Sequence, residues 1–388
     1  KRLGRNVVSL GFVSLFTDLS SEMIYPLIPE FLVSLGATKA IIGIIEGIAE
    51  ATASLLRTVF GTLSDRMKKR KLFIFLGYGF SAVSKPFLYI ANAWTDVLAV
   101  KFADRLGKAA RTPPRDALIS TSVDHSIKGK AFGFHRAMDR IGAIGGPLLA
   151  MLVLAITNDN VRLVFLLSVI PGVLALFFIQ FAKETGFERE KGESKKGSLR
   201  NASFIVFLIS IIIFQLGNSS NAFLILKARE AGLAVTLIPV IWIVYNGVCT
   251  IASPLFGTLS DKIGRKPIII ASFIYYAIIY SLFGFANQVW MFWFLFGAYG
   301  IYYGLSEGVF RAYIADLVDP ENRATAYGIF NTGIGLALFP ASLIMGAVWD
   351  SFGSNWAFVT AAGLSFLGFL IFIVSLFFRR RPYHKGYK

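Results

Sequence analysis

The chain has 388 residues, of which 55% are hydrophobic, 15% aromatic and only 16% charged, with a formal net charge of +16. So apolar a chain is excluded from the ordinary soluble domains. A nucleic-acid binder gathers basic residues on one solvated surface, whereas these lie in short clusters between long apolar runs, so the charge reads as membrane topology.

Windows of about 20 residues, the length at which a helix crosses a bilayer, give twelve candidate spans: 7–33, 40–64, 72–91, 95–121, 130–156, 161–182, 202–228, 235–260, 268–286, 289–318, 324–349 and 355–379. The chain opens on Lys1, Arg2 and Arg5 and enters the first span without the pattern of a cleavable leader. One cysteine, Cys249, leaves no partner for an intrachain disulfide and no cysteine cluster for a metal.

Ionisable side chains inside spans are costly and are functional candidates by default. Span one carries Asp18 and Glu22 on one face, four residues apart, followed by Pro26 and Pro29, which should kink its outer half. Span two carries Glu46 and Glu50, with Arg57 further along the same stripe. These four carboxylates, Glu22 and Glu50 foremost, are the candidate proton carriers. Lys85 follows in span three. In span four Lys101, Asp104, Arg105, Lys108, Arg111 and Arg115 recur at spacings of three and four, one charged stripe that must line a cavity or meet acidic neighbours. His135, Arg136, Asp139 and Arg140 extend the polar set into span five.

The polar stretch 183–201 reads as a linker between an N-terminal half, 1–182, and a C-terminal half, 202–388. The second half is far less charged. Its polar residues are Gln215, Asn218 and Asn221 in span seven, Tyr245 and Asn246 in span eight, Glu307 and Arg311 in span ten and Asn331 in span eleven, with Tyr299, Tyr302 and Tyr303 beside them. The asymmetry predicts coupling chemistry in the first half and an aromatic recognition wall in the second.

Basic residues fill the loop 65–71, the linker, Lys262/Arg265/Lys266 and Arg379–Arg381, while the opposite loops hold only Lys39, Arg162, Lys227 and Arg229. The positive-inside bias then places both termini and the linker in the cytoplasm. Two of these basic loops follow the same phrase: Gly61-Thr62-Leu63-Ser64-Asp65 returns 196 residues later, from position 61 to 257, as Gly257-Thr258-Leu259-Ser260-Asp261. Arg115 and Arg311 share that offset, and Ala131-Phe132-Gly133 resembles Ala326-Tyr327-Gly328. Membrane chains whose halves repeat are characteristic of secondary transporters.

The loop phrase, with Arg66 and Lys69-Arg70 after the first copy and Lys262-x-Gly264-Arg265-Lys266 after the second, resembles the signature of the major facilitator superfamily, and the resemblance covers nearly the whole chain. The first copy has Lys68 where the pattern has Gly. This implies an all-α integral membrane fold of twelve transmembrane helices in two pseudo-symmetric six-helix bundles. It also implies a latch role for Gly61, Asp65, Arg66, Gly257, Asp261, Lys262 and Arg265. Arg115, at the cytoplasmic end of span four, and Asp139, of the polar set in span five, are read from their own positions as members of the same gate network. Gly133, Gly142, Gly146-Pro147 and Ala150 are similar to the helix-packing motif of the twelve-helix drug/proton antiporter branch, although that motif ends in Gly where this chain has Ala150.

The resemblance implies a transporter in the cell membrane, acting as a monomer on a small molecule by alternating access, with no cofactor beyond a proton as coupling ion, no metal and no nucleic-acid partner. Proton-coupled efflux of a small amphipathic compound is the first expectation. Symport or exchange of an anionic metabolite is the alternative. Candidate substrate contacts are Arg57, Lys85, Lys101, Arg105, Lys108, Gln215, Asn218, Asn246, Tyr303, Glu307, Arg311 and Asn331. If Arg105 and Lys108 face the cavity without carboxylate partners, the anionic reading takes precedence. No nucleophile or metal constellation suggests an enzyme, no phosphate loop suggests an ATP-driven pump, and a channel or receptor leaves the repeat unexplained.

Overall fold

A computed structural model describes residues 3–124, 127–184, 201–319 and 322–377. Twelve helical rods follow one another among them. The first six are α1 (Arg5–Ser34), α2 (Lys39–Met67), α3 (Arg70–Tyr89), α4 (Trp94–Thr121), α5 (Lys128–Ile156) and α6 (Val161–Ile179). The second six are α7 (Ala202–Leu216, resumed as Ala222–Glu230), α8 (Val235–Ile263), α9 (Arg265–Phe285), α10 (Val289–Leu317), α11 (Arg323–Phe352) and α12 (Ser354–Phe377). Most of the 183–201 linker and the basic cluster Arg379–Arg381 lie outside the described residues.

Eight rods are long and apolar enough to cross a membrane on hydropathy alone. The other four fall short for reasons visible in their residues. Charges interrupt α2 and α4, α7 is broken at 217–221, and α10 mixes Tyr, Trp and Gly into its apolar run. Large apolar side chains such as Ile156, Ile251 and Phe294 point outward, as suits a surface solvated by lipid tails.

Local chemistry sets the breaks. Pro26 opens α1 into a 3-10 turn, Tyr25–Leu27, at the kink expected from its prolines. Pro86 does the same in α3 at Lys85–Tyr89. In α7 the sequence Gly217-Asn218-Ser219-Ser220-Asn221 interrupts the helix, which is tolerable at depth only if its polar groups find partners. They do: the Tyr276 hydroxyl donates to Gly217 O at 2.8 Å, the Tyr299 hydroxyl to Asn221 Oδ1 at 2.8 Å, and Ser219 and Tyr280 bond at 2.8 Å.

Within the first half, α1 packs on α5 and α6, and α4 on α2 and α3; within the second, α8 packs on α10, and α9 and α7 on α12. The halves meet where α2 lies along α11 and α5 along α8. Glycine makes the α2–α11 approach possible. A β-carbon on Gly43 would collide with Ser342 O, one on Gly346 with Lys39 O, and one on Gly47 would sit 2.7 Å from Phe339 Cα.

Named ties between the halves run from mid-depth to the end away from the linker, here called the far end. Arg229 Nη2 pairs with Glu30 Oε1 at 2.7 Å. The Asp350 carboxylate accepts from the backbone N–H of Lys39 (3.0 Å) and Ala40 (2.8 Å), capping α2 from the opposite half. Thr236 bonds Asp159 at 2.5 Å. Toward the linker end Glu307, Arg311 and Asn331 stand exposed or half-exposed. The molecule is therefore held shut at the far end.

Candidate functional site

A polar cavity of about 300 Å³ lies between the halves, walled by α1, α2, α3, α4 and α8. The charged stripe of α4 turns into it and meets the acidic faces of α1 and α2. Lys101 forms an ion pair with Glu46, both side chains almost fully buried. Arg105 Nε lies 3.1 Å from Glu50 Oε1, and its Nη1 lies 3.6 Å from Asp104 Oδ2; Asp104 also accepts from the Ser81 hydroxyl. Each of these buried charges has its counter-charge, as burial demands.

Three cations differ. Lys85 Nζ is held by hydroxyls, Ser20 Oγ at 3.1 Å and Ser21 Oγ at 2.8 Å. Arg111 lies over the Tyr78 ring, 4.4 Å from its centroid, with Nη1 buried and unpartnered. The Lys108 ammonium lines the cavity with no ion pair or hydrogen bond among the described residues. Two carboxylates are likewise without a cation at ion-pair distance among the described residues, Asp18 and Glu22. Gly142 and Gly146 of α5 pack against their β-carbons, the positions of added Cβ atoms falling 2.8 Å from Asp18 Cβ and 2.9 Å from Glu22 Cβ.

The second half contributes an aromatic wall. Trp242 Nε1 donates to Glu22 Oε2 at 2.8 Å. Its ring lies 5.3 Å from Tyr25 and 4.9 Å from Tyr245, and Asn246 Nδ2 donates back to Trp242 O at 3.0 Å. The cavity thus sets cationic groups and four carboxylates, Asp18, Glu22, Glu50 and Asp104, on one side of an apolar face.

Of the residues singled out in the sequence, Asp18, Glu22, Glu50, Lys85, Lys101, Arg105, Lys108 and Asn246 converge here. Glu46 sits behind Lys101. Arg57 lies away from the lining, its buried Nε without a partner. Gln215 and Asn218 bond one another at 2.7 Å beside the α7 break. Tyr303 stacks edge-on against Tyr245, 5.6 Å away, behind the wall. Glu307 and Arg311 pair at 3.7 Å and, with Asn331, do not line the cavity.

The loop residues pair locally. Asp65 binds Arg70 at 3.2 Å, and Arg265 binds Asp261 at 2.5 Å and Asp316 at 3.6 Å, so each aspartate holds the first residue of the next helix. Gly61 meets Pro113 of α4 at 3.2 Å, but Gly257 and Gly133 have nothing within 4 Å of an added Cβ. Arg66 and Lys262 are exposed. Arg115 pairs with Asp116 at 2.9 Å, and Asp139 accepts from Ser14. Pro147 lies inside α5.

Sequence reasoning missed Trp242, Tyr25, Ser20 and Ser21. A signal existed for the first: Trp242, Tyr245, Asn246 and Cys249 share one helical stripe.

The sequence matches the profile of the Major Facilitator Superfamily over residues 10–226 and again over 204–388. An uncharacterised MFS-type transporter of Methanocaldococcus jannaschii is 36% identical over 357 residues, covering 90% of this chain and 89% of its own. The multidrug resistance protein MdtG of Proteus mirabilis is 36% identical over 129 residues, 33% of this chain and 31% of its own. Among solved structures, the nucleoside transporter NupG superposes with a TM-score of 0.77 at 15% identity, over 97% of this chain and all (100%) of that one. Twelve rods in two repeated halves around a polar midplane cavity carry the same message, and the chain belongs to the Major Facilitator Superfamily, as a multi-pass membrane transporter and not an enzyme.

Proposed function

We propose that the protein is a proton-coupled secondary transporter of small organic anions that carry an apolar or aromatic body. The observation behind this is Lys108, which of the two cations Arg105 and Lys108 is the one left without a counter-charge: Lys101 and Arg105 have carboxylate partners, whereas the Lys108 ammonium faces the cavity without one among the described residues. An entering carboxylate would supply the missing counter-charge, and the Trp242–Tyr245 wall would take the apolar body. Asp18 and Glu22 are the proton carriers of this reading, since neither is consumed by a fixed ion pair. With the basic loops cytoplasmic, the far end faces outward and the cavity is approached from the cytoplasm.

The test is transport by the purified chain in liposomes, using benzoate, salicylate and 4-hydroxybenzoate as probes and a neutral and a cationic amphiphile as comparisons. Saturable movement of the anions, weakened by Lys108→Gln, supports the proposal. Movement of only the cationic or neutral compounds sinks it.

A second reading is efflux of amphipathic compounds against inward protons. It draws on the packing of Gly142 and Gly146 against Asp18 and Glu22 and on the partial likeness to MdtG. Inward proton movement driven by an outward gradient of the cationic amphiphile, lost in Glu22→Gln, would favour it. Exchange independent of pH would count against any proton coupling.

A further inference from the structure

A second polar cluster joins α1 to α5 outside the cavity lining. The Ser14 hydroxyl donates to Asp139 Oδ1, while Asp139 Oδ2 faces His135 Nδ1 at 3.4 Å. His135 is only 3% exposed, and its Nε2 meets no partner. A buried ring nitrogen left unpartnered is unusual enough to need an explanation.

The cluster is continuous with the cavity. Asp18, which lines the cavity, lies four residues from Ser14 on α1 and so on the same face. Gly142, three residues from Asp139 on α5, has no side chain where one would crowd the Asp18 β-carbon. Asp18, Asp139 and His135 therefore follow one seam. It runs from the cavity toward the linker end, where α5 begins at Lys128. Charged groups around the ring come from two elements: Arg115 and Asp116 of α4, and Arg136 and Asp139 of α5 itself.

We propose that Asp139 and His135 carry protons between Asp18 and water at the linker end. This rests on the proton-coupled reading above. A proton on the Asp18 carboxyl passes to the Asp139 carboxylate. Asp139 then delivers it to Nδ1 of a neutral imidazole, which releases its own proton from Nε2. One proton enters and one leaves, and no net charge stays on the ring. The Nδ1–H tautomer left behind returns to Nε2–H by proton exchange with water at the linker end, Nε2 taking one proton as Nδ1 gives one up. The orphaned Nε2 is then the exit atom, and the Ser14 bond fixes which carboxylate oxygen faces the ring.

The experiment compares wild type and His135→Gln in liposomes containing a pH-sensitive dye, with a salicylate gradient driving proton movement from roughly pH 5 to pH 8. Glutamine retains hydrogen bonding but does not titrate. The expected result is a loss of proton flux of at least about tenfold with a flattened pH profile. Undiminished flux with the wild-type profile in His135→Gln overturns the relay alone; absence of proton flux in the wild type overturns the coupled reading and the relay with it. A second measurement guards against misfolding. The chain has 3 histidines, so the His135 ring resonance is identified by its absence in His135→Gln. In otherwise wild-type protein its titration midpoint should move on Asp18→Asn and on Asp139→Asn. A midpoint indifferent to Asp18→Asn overturns the proposal.

Discussion

Trp242 of α8 and Glu22 of α1 are joined by an indole N–H···carboxylate bond of 2.8 Å that crosses from one half of the molecule to the other at the cavity wall. The bond ends on a carboxylate and so ties the state of Glu22 to the contact between halves. Trp242→Phe keeps the ring face and removes the donor. It should weaken the closed arrangement by about 1–2 kcal/mol. Faster modification of a cysteine introduced at the far end would report this, and unchanged labelling would show that the bond does not hold the halves.

Lys108 is the test of anion recognition. Replacing it with Gln should raise the KM for salicylate about tenfold or more, the scale of one charge-assisted hydrogen bond. Lys108→Arg should retain most of the affinity. Equal KM values in the Gln variant and the wild type would remove Lys108 from the binding site.

The Lys101–Glu46 pair behaves differently, because both charges are satisfied and buried. Lys101→Met alone should destabilise the protein by about 3–5 kcal/mol, since it strands a carboxylate, while Lys101→Met with Glu46→Leu should recover most of the loss. Thermal unfolding in detergent separates the two. A double variant no more stable than the single one would mean that the pair does more than neutralise itself.

Closure of the far end rests on small, separable contributions. Asp350→Ala removes a helix cap at about 1 kcal/mol, and Arg229→Ala removes a half-buried ion pair at less than about 1 kcal/mol. Together they should shift the population toward the opposite state, read as a longer spin-label distance between far-end positions on α1 and α7. Gly43→Val acts more severely, since its side chain would meet the Ser342 backbone of α11. It should block closure and abolish transport while salicylate binding persists; normal transport would show that α2 and α11 never approach this closely in the working cycle.

Much of this architecture was legible in the sequence. Twelve apolar runs became twelve rods, and the three-and-four spacing of the α4 charges placed them on a face that does turn inward. What periodicity cannot supply is pairing between rods. Arg105 and Lys108 lie on one stripe, yet only Arg105 finds a carboxylate within ion-pair distance, because partner choice depends on how α4 is rotated against α2. Span seven misled for a related reason. Gln215 and Asn218 are polar because the backbone breaks there, and their bonds serve the break. Gly133 and Gly257 belong to recognisable phrases but touch nothing within reach of a Cβ, so motif membership did not imply a contact.

The loop after the repeated phrase departs from exact repetition at Lys68, which corresponds to Gly264 at the same offset of 196. Lys68 sits at φ 52°, ψ 40°, a left-handed turn that a lysine tolerates; Gly264 sits at φ 93°, ψ 157°, a region open essentially to glycine alone. The two positions are therefore not interchangeable. Lys68→Gly leaves a permitted turn, whereas Gly264→Lys forces a side chain into forbidden backbone space. The repeated phrase therefore ends in two different bends, and the two-fold likeness of the halves stops at these turns.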